Sequence, residues 1–172
     1  MKFIFFLGIK IEWIRHSDGN VTIHLSQTAF IEALLHSQSL HTDNVNTVKS
    51  PYRSGLPIDS IPTEAYDETT QRIYTKQMQS MVGSLTWLSM STRPDIVTVT
   101  NLLAKHVRQP SKGHLEAVKR VLRYLKCTAN KGITFTSSTQ SHLEAFVKFP
   151  IPPNQLTALT DANWGLKIKV TH

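Results

Sequence analysis

Apolar and polar positions alternate along the first stretch of the chain, recur at helical spacing along the middle and alternate again near the end. Residues 8 to 13, GIKIEW, alternate in character, His16 to Asn20 form a polar turn centred on Asp18-Gly19, and Val21 to Leu25 resume β-favouring residues. That pattern predicts a β-hairpin. Ser26 stands where it can cap a following helix, in which Phe30, Ile31, Leu34 and Leu35 share one face. From Asp43 to Asp67 three prolines and a loss of periodicity predict a linker that either wraps a surface or hangs loose.

Helical spacing returns near Tyr74, where Met78, Met81, Val82, Leu85 and Leu88 predict a buried stripe. Gly83 and Ser84 within it are expected to allow close helix contact at a modest propensity cost. Thr92-Arg93-Pro94-Asp95 predicts a restart, with Thr92 as cap, proline in the first turn and Asp95 as the acid of a capping box. Ile96, Val99, Leu103 and Val107 form a second stripe, and Pro110 ends it. Ser111 can then cap a third helix carrying Leu115, Val118, Leu122 and Leu125. At about 100° per residue, Lys112, Lys119, Arg123 and Lys126 fall on a neighbouring face of that helix.

Asn130 and Gly132 close the helical region, and Ile133 to Thr136 reads as a short strand. After a polar loop at 137–141 and an irregular proline-containing segment, Leu156 to Asp161 alternates again and predicts a last strand. A lone strand cannot bury itself, so it is expected to open a domain whose remainder is missing. The predicted class is α+β: an N-terminal hairpin with a first helix (1–42), a linker (43–73), a mostly helical middle (74–136), a second linker (137–155) and an isolated C-terminal strand (156–172).

Charge changes this picture most. Lys105 to Lys131 contains eight Lys and Arg against one acid, Glu116, an excess equal to the net charge of +7 of all 172 residues. Outside that stretch acids and bases balance, so the positive charge is local. Such a patch either faces a polyanion, whose phosphates it neutralises, or is a solvated helix face.

Other features narrow the options. No apolar run reaches the roughly 18 residues of a membrane span, and Glu12 stands where a signal peptide would need small residues. An intracellular chain, in cytoplasm or nucleus, with no membrane partner is expected. The single cysteine, Cys127, excludes an internal disulfide and a multi-cysteine zinc site. The eight histidines show no metal-ligand spacing, His36 and His41 being one residue too far apart for an i, i+4 pair. Neither a nucleophile elbow nor a glycine-rich phosphate loop is present. Trp87 is expected in the core on ordinary burial preferences, and Tyr124 beside Arg123 as a nucleic-acid backbone contact. Lys112, Lys119, Arg120, Arg123 and Lys126 would grip phosphates without reading sequence.

Taken in order, FFLGIKIEW, HLSQTAFIEALL, MVGSLTWLSMSTRPDI, HLEAVKRVLRYLKCT and LTDANWG resemble the polymerase region of Ty1/copia-type retrotransposons over most of residues 5 to 165. The resemblance implies the roles that follow. Phe6, Leu7, Gly8 and Ile9 look like the strand after the polymerase centre, part of a hairpin that supports the primer end. The LSQ segment looks like the start of the thumb, and the TRPDI and RYLK helices like the thumb and connection that hold the template-primer. Leu159 to Gly165 is similar to the opening strand of ribonuclease H, in which Asp161 would be a catalytic magnesium ligand. Asn163 replaces the second acid of the usual DADW-like motif.

Chemistry limits what such a chain does alone. Nucleotidyl transfer needs carboxylates around two metal ions about 4 Å apart, and the family's paired aspartates lie upstream of FLGI, whereas no adjacent aspartates occur here. Asp161 alone supports at most a weak, water-rich Mg2+ contact. The expectation is therefore a truncated polyprotein fragment without cofactor or autonomous activity, whose partners are an RNA–DNA or DNA duplex and the missing polyprotein segments. A host-retained binding module and a nonfunctional relic remain the alternatives. Phe3, Phe5, Phe6 and the strand at 156–160 would need cover from partners.

Overall fold

A computed structural model of the chain describes residues 2–42, 44–52, 58–62 and 65–136. Asp161, the predicted strand at 156–161, the segments 137–155 and 156–172, and Trp164 lie outside the described residues.

Three strands follow one another as a meander: β1 (Lys2–Phe6), β2 (Ile9–Arg15) and β3 (Val21–Ser26). The expected hairpin is present, with Gly19 at φ +84° and the Asn20 N–H donating to Asp18 Oδ1 at 3.0 Å. A strand precedes it, joined by the two-residue turn Leu7-Gly8, both residues at positive φ (50° and 78°). Two left-handed residues match the right-handed twist of the strands they connect, and glycine takes the second position without strain. A fourth strand, β4 (Ile133–Thr136), arrives from the far end of the helical region and pairs antiparallel with β3. Sheet order is β1-β2-β3-β4. Gly132 makes the approach of β4 feasible, since a Cβ there would collide with the Leu25 carbonyl oxygen.

Register divides the sheet into two unlike faces. One carries the cross-strand rows Ile4–Ile11–Leu25–Ile133 and Lys2–Trp13–Ile23–Phe135, together with Phe6, Ile9 and Val21. The other carries Phe3–Glu12–His24–Thr134 and Phe5–Lys10–Ser26, and Lys10 pairs with Glu12 at 2.8 Å.

Four helices follow the sheet's first three strands: α1 (Thr28–Ser37), α2 (Glu68–Ser91), α3 (Val97–Ala104) and α4 (Lys112–Cys127). Their apolar stripes form the core as the spacing predicts. Ile31, Met78, Leu85, Leu88, Ile96, Leu103, Val118, Leu122 and Leu125 are all fully buried. The linker wraps: Ile58 enters the core, and Val48, Tyr52 and Ile61 pack against it.

Several local expectations give way to tertiary contacts. Helix α2 starts at Glu68 rather than near Tyr74, because Asp67 caps it by accepting the Thr70 N–H at 3.0 Å. Ser26 caps nothing and ends β3, while the next residue, Gln27, precedes α1 and is buried. Thr92 terminates α2 instead of starting the next helix, and its buried hydroxyl donates to Gln27 Oε1 at 2.8 Å. Gly83 makes no close helix contact, its Cα facing open space. Trp87 is 39% exposed instead of buried, since it lies off the stripe of Met81, Leu85 and Leu88.

Candidate nucleic-acid interface

The TRPD segment anchors the helix that carries the basic face. Arg93, 1% exposed, holds Asp95 through two parallel bonds, Nε to Oδ1 at 3.0 Å and Nη2 to Oδ2 at 2.8 Å. Nη1 donates to the Thr128 carbonyl at 2.9 Å and Nη2 to Thr128 Oγ1 at 2.7 Å. The planar guanidinium thereby joins the start of the Pro94 turn to the C-terminus of α4, where exposed carbonyls welcome a cation. Tyr124 completes the cluster by donating its hydroxyl to Asp95 Oδ2 at 2.7 Å, with the Arg93 guanidinium 5.5 Å from its ring centre. Asp95 is therefore an ion-pair partner and not a capping acid. Burial works against its charge, but the bonds from Arg93 and Tyr124 and the charge of Arg93 outweigh burial and hold the carboxyl below its ordinary value. Burial and the bond to Asp95 raise the Tyr124 phenol in turn.

The other end of α4 is fixed as the sequence predicts. Ser111 caps it, with its N–H donating to His114 Nδ1 at 3.1 Å and its hydroxyl 2.9 Å from the same nitrogen. His114 is fully buried and stacks on His106, ring centres 4.2 Å apart. Burial, then the neighbouring His106, push its pKa down, which keeps the ring neutral and Nδ1 free to accept. This buried histidine has no signal in the sequence beyond its place three residues after Ser111, the capping-box position.

Between these anchors the basic residues sort into three groups. Lys112 is exposed. Lys119 and Arg123 flank Glu116, at 2.9 Å and 3.3 Å from its two carboxylate oxygens. Those bonds and charges hold Glu116 below the ordinary carboxylate range, with the Lys119 hydrogen bond the largest cause. Arg120 is half-buried, and its Nε has no hydrogen-bond partner. Two expected members behave differently. Tyr124 is 8% exposed and faces Asp95, and Lys126 turns back to donate to the Thr42 and Val45 carbonyls. Lys105 and Arg108, on the connection from α3, flank a second basic depression with His106.

A cavity of about 340 Å³ opens next to α4, lined by Tyr52, Ile58, Ile61, Val99, Ala117, Arg120 and Arg123 among others. Phe6 to Ile9 are not one strand: Phe6 ends β1, Leu7 and Gly8 turn the chain and Ile9 starts β2, with Phe6 62% and Leu7 70% exposed. Among the described residues no group of three or more His, Cys, Asp and Glu is placed to hold a metal ion, and no helix is long and apolar enough to cross a membrane.

No family model matches the chain. No solved structure matches it either. Curated proteins do. The chain is 34% identical over 142 residues to the retrovirus-related Pol polyprotein from transposon RE1 of Arabidopsis thaliana, covering 83% of this chain and 9% of the polyprotein. It is 31% identical over 132 residues to the corresponding polyprotein from transposon TNT 1-94 of Nicotiana tabacum, covering 77% of this chain and 10% of that one. An uncharacterized mitochondrial protein of Arabidopsis thaliana is 29% identical over 145 residues, 83% of this chain and 53% of the relative. The chain thus spans about half the length of one of these relatives and about a tenth of the polyproteins. With this similarity over most of its residues, the chain belongs to the Pol polyproteins of Ty1/copia-type retrotransposons, as one stretch of such a polyprotein.

Proposed function

We propose that the chain corresponds to the end of the reverse transcriptase palm, the thumb and connection, and the start of ribonuclease H, and that it binds template-primer duplex without catalysing a reaction alone. The observation that supports this reading is the division of α4. Its apolar stripe is buried to completion at Val118, Leu122 and Leu125, while Lys112, Lys119, Arg120 and Arg123 remain on its outer arc with one acid among them. A rigid helix presenting cations on one side suits phosphate contacts, which position a duplex without reading bases. Tyr124 and Lys126 drop out of this grip, because their polar ends are engaged inside the fold.

The sheet supports a place beside further polypeptide. Its Ile4–Phe135 face carries apolar side chains on all four strands besides Lys2 and Arg15, and Ile4, Phe6 and Phe135 are each at least 50% exposed. Segments of the polyprotein are the partner this reading assigns to it.

The test is binding to a labelled RNA–DNA hybrid across a salt series. Four phosphate contacts predict a slope of about −3.6 in log K against log salt, or roughly a hundredfold loss between 50 and 200 mM. Replacing Lys112, Lys119, Arg120 and Arg123 by alanine is expected to remove the binding and the slope together. A folded chain that binds no hybrid at low salt would reduce the basic arc to a solvated surface.

A further inference from the structure

The cavity beside α4 is a feature that a duplex grip leaves unused. Its floor is Ile58 and Val99, 3% and 4% exposed, its walls include Tyr52 and Ala117, and Arg120 and Arg123 stand at its edge. At about 340 Å³ it lies at the small end of the range for small-molecule sites, enough for one planar ring system. Gly113 sets its shape. A Cβ there would stand 2.6 Å from Ile61 Cγ2, so a larger residue would have to displace the Ile61 side chain that closes the space beside α4.

Two properties select a ligand. The lining is apolar apart from Glu116, Arg120 and Arg123 and includes one aromatic ring, Tyr52, which suits a flat ring more than a peptide. Arg120 makes no hydrogen bond or ion pair with the described residues, although it is half-buried and its Nε is fully enclosed. A guanidinium has five donors and no acceptor, so its complement is an anionic oxygen. Glu116, the nearest acid on the helix, is already shared between Lys119 and Arg123.

We propose that this cavity takes one unpaired nucleotide, with the base lodged against Tyr52 and Val99 and its phosphate on Arg120. The inference deepens the duplex reading and rests on it, because Arg120 and Arg123 belong to both surfaces: phosphates tracked along α4 would deliver a strand end to the cavity mouth. The same chemistry is offered by two sources, an unpaired nucleotide at the end of a strand and a free mononucleotide, and the proposal commits to the strand end.

The experiment compares three probes with the full chain: a blunt RNA–DNA hybrid, the same hybrid with one unpaired terminal 2-aminopurine, and AMP. The overhang is expected to bind about fivefold or more tighter than the blunt hybrid, with a change in 2-aminopurine emission as the base leaves water. Ala117→Met, which fills the cavity without removing a charge, is expected to abolish both differences, and Tyr52→Leu to diminish the emission change. Circular dichroism establishes that each variant folds. Equal affinity for both hybrids with no emission change overturns the cavity inference while leaving the duplex reading intact. AMP binding that matches the overhang and is lost in Ala117→Met overturns the strand-end assignment in favour of the free nucleotide. No binding of any probe by the folded chain overturns both readings.

Discussion

The helical region and the sheet use their apolar side chains in opposite ways. Among the described residues every buried apolar residue of the core belongs to a helix, to the short turn at Pro94–Ile96 or to Ile58 in the linker, and no strand residue joins it. The sheet is nonetheless mostly apolar along one face, where four strands present isoleucine, phenylalanine, valine, leucine and tryptophan side by side, with Lys2 and Arg15 as the charged exceptions. Patterning alone therefore does not bury a surface. Helices α2, α3 and α4 find one another because their stripes face a common axis, whereas a sheet face needs a second layer laid across it.

The largest expected effect sharpens that contrast at the Arg93 cluster. Arg93→Met removes both guanidinium bonds to Asp95, which keeps only Tyr124, and leaves the Thr128 carbonyl without its donor; the lost charge-assisted hydrogen bonds and the unsatisfied carbonyl together should cost about 3–5 kcal/mol. Chemical denaturation followed by circular dichroism reads it. A loss below about 1 kcal/mol would mean that the cluster is not what fastens α4 to the Pro94 turn.

Paired truncations probe the two regions directly. Leu122→Ala, at a fully buried position, should cost about 2–5 kcal/mol. Ile4→Ala, half exposed in β1, should cost about 1 kcal/mol or less in the same denaturation measurement. Equal losses would show that the sheet face is covered in solution.

Glycines offer a second pair. Gly132→Ala pushes a methyl against the Leu25 carbonyl and is expected to destabilise by about 1–3 kcal/mol, with loss of amide protection in β4. Gly83→Ala, in an exposed helix interior with open space around it, should stabilise by about 0.5–1 kcal/mol. Thermal melts of both variants would separate a glycine required by the fold from one that is only tolerated.

The smallest effect is pH dependence at the Ser111 cap. His114 has a folded pKa below its unfolded value of about 6.5, so the unfolded chain binds the extra proton first. Its contribution is fully present above about pH 6.5 and is lost as the pH falls through the lower folded value. His114→Asn, which retains a side-chain acceptor, should flatten the stability profile between pH 7 and the acid range. An unchanged profile would move the acid sensitivity elsewhere.

Much of the helical region was legible from spacing. Leu115, Val118, Leu122 and Leu125 announce a stripe that burial confirms, and Ser111 announces its cap. The basic arc was legible too, since helix geometry places Lys112, Lys119 and Arg123 beside that stripe. Its membership was less so: Tyr124 and Lys126 share its sequence but spend their polar atoms on Asp95 and on the carbonyls of Thr42 and Val45. These partners lie 29 to 84 residues away, beyond the reach of any periodicity.

The sequence by itself determined the order of elements from β2 onward, the apolar stripes, the position of the charge and the family, because each is carried by residue type at short spacing. Tertiary structure decided that β4 closes onto β3, that Thr92 joins Gln27 and not a helix start, and that Arg93 is enclosed beneath α4. Those outcomes depend on which distant groups meet. Leaving a buried donor or acceptor unpaired is costly wherever its partner lies in the chain, and that cost overrides local preference.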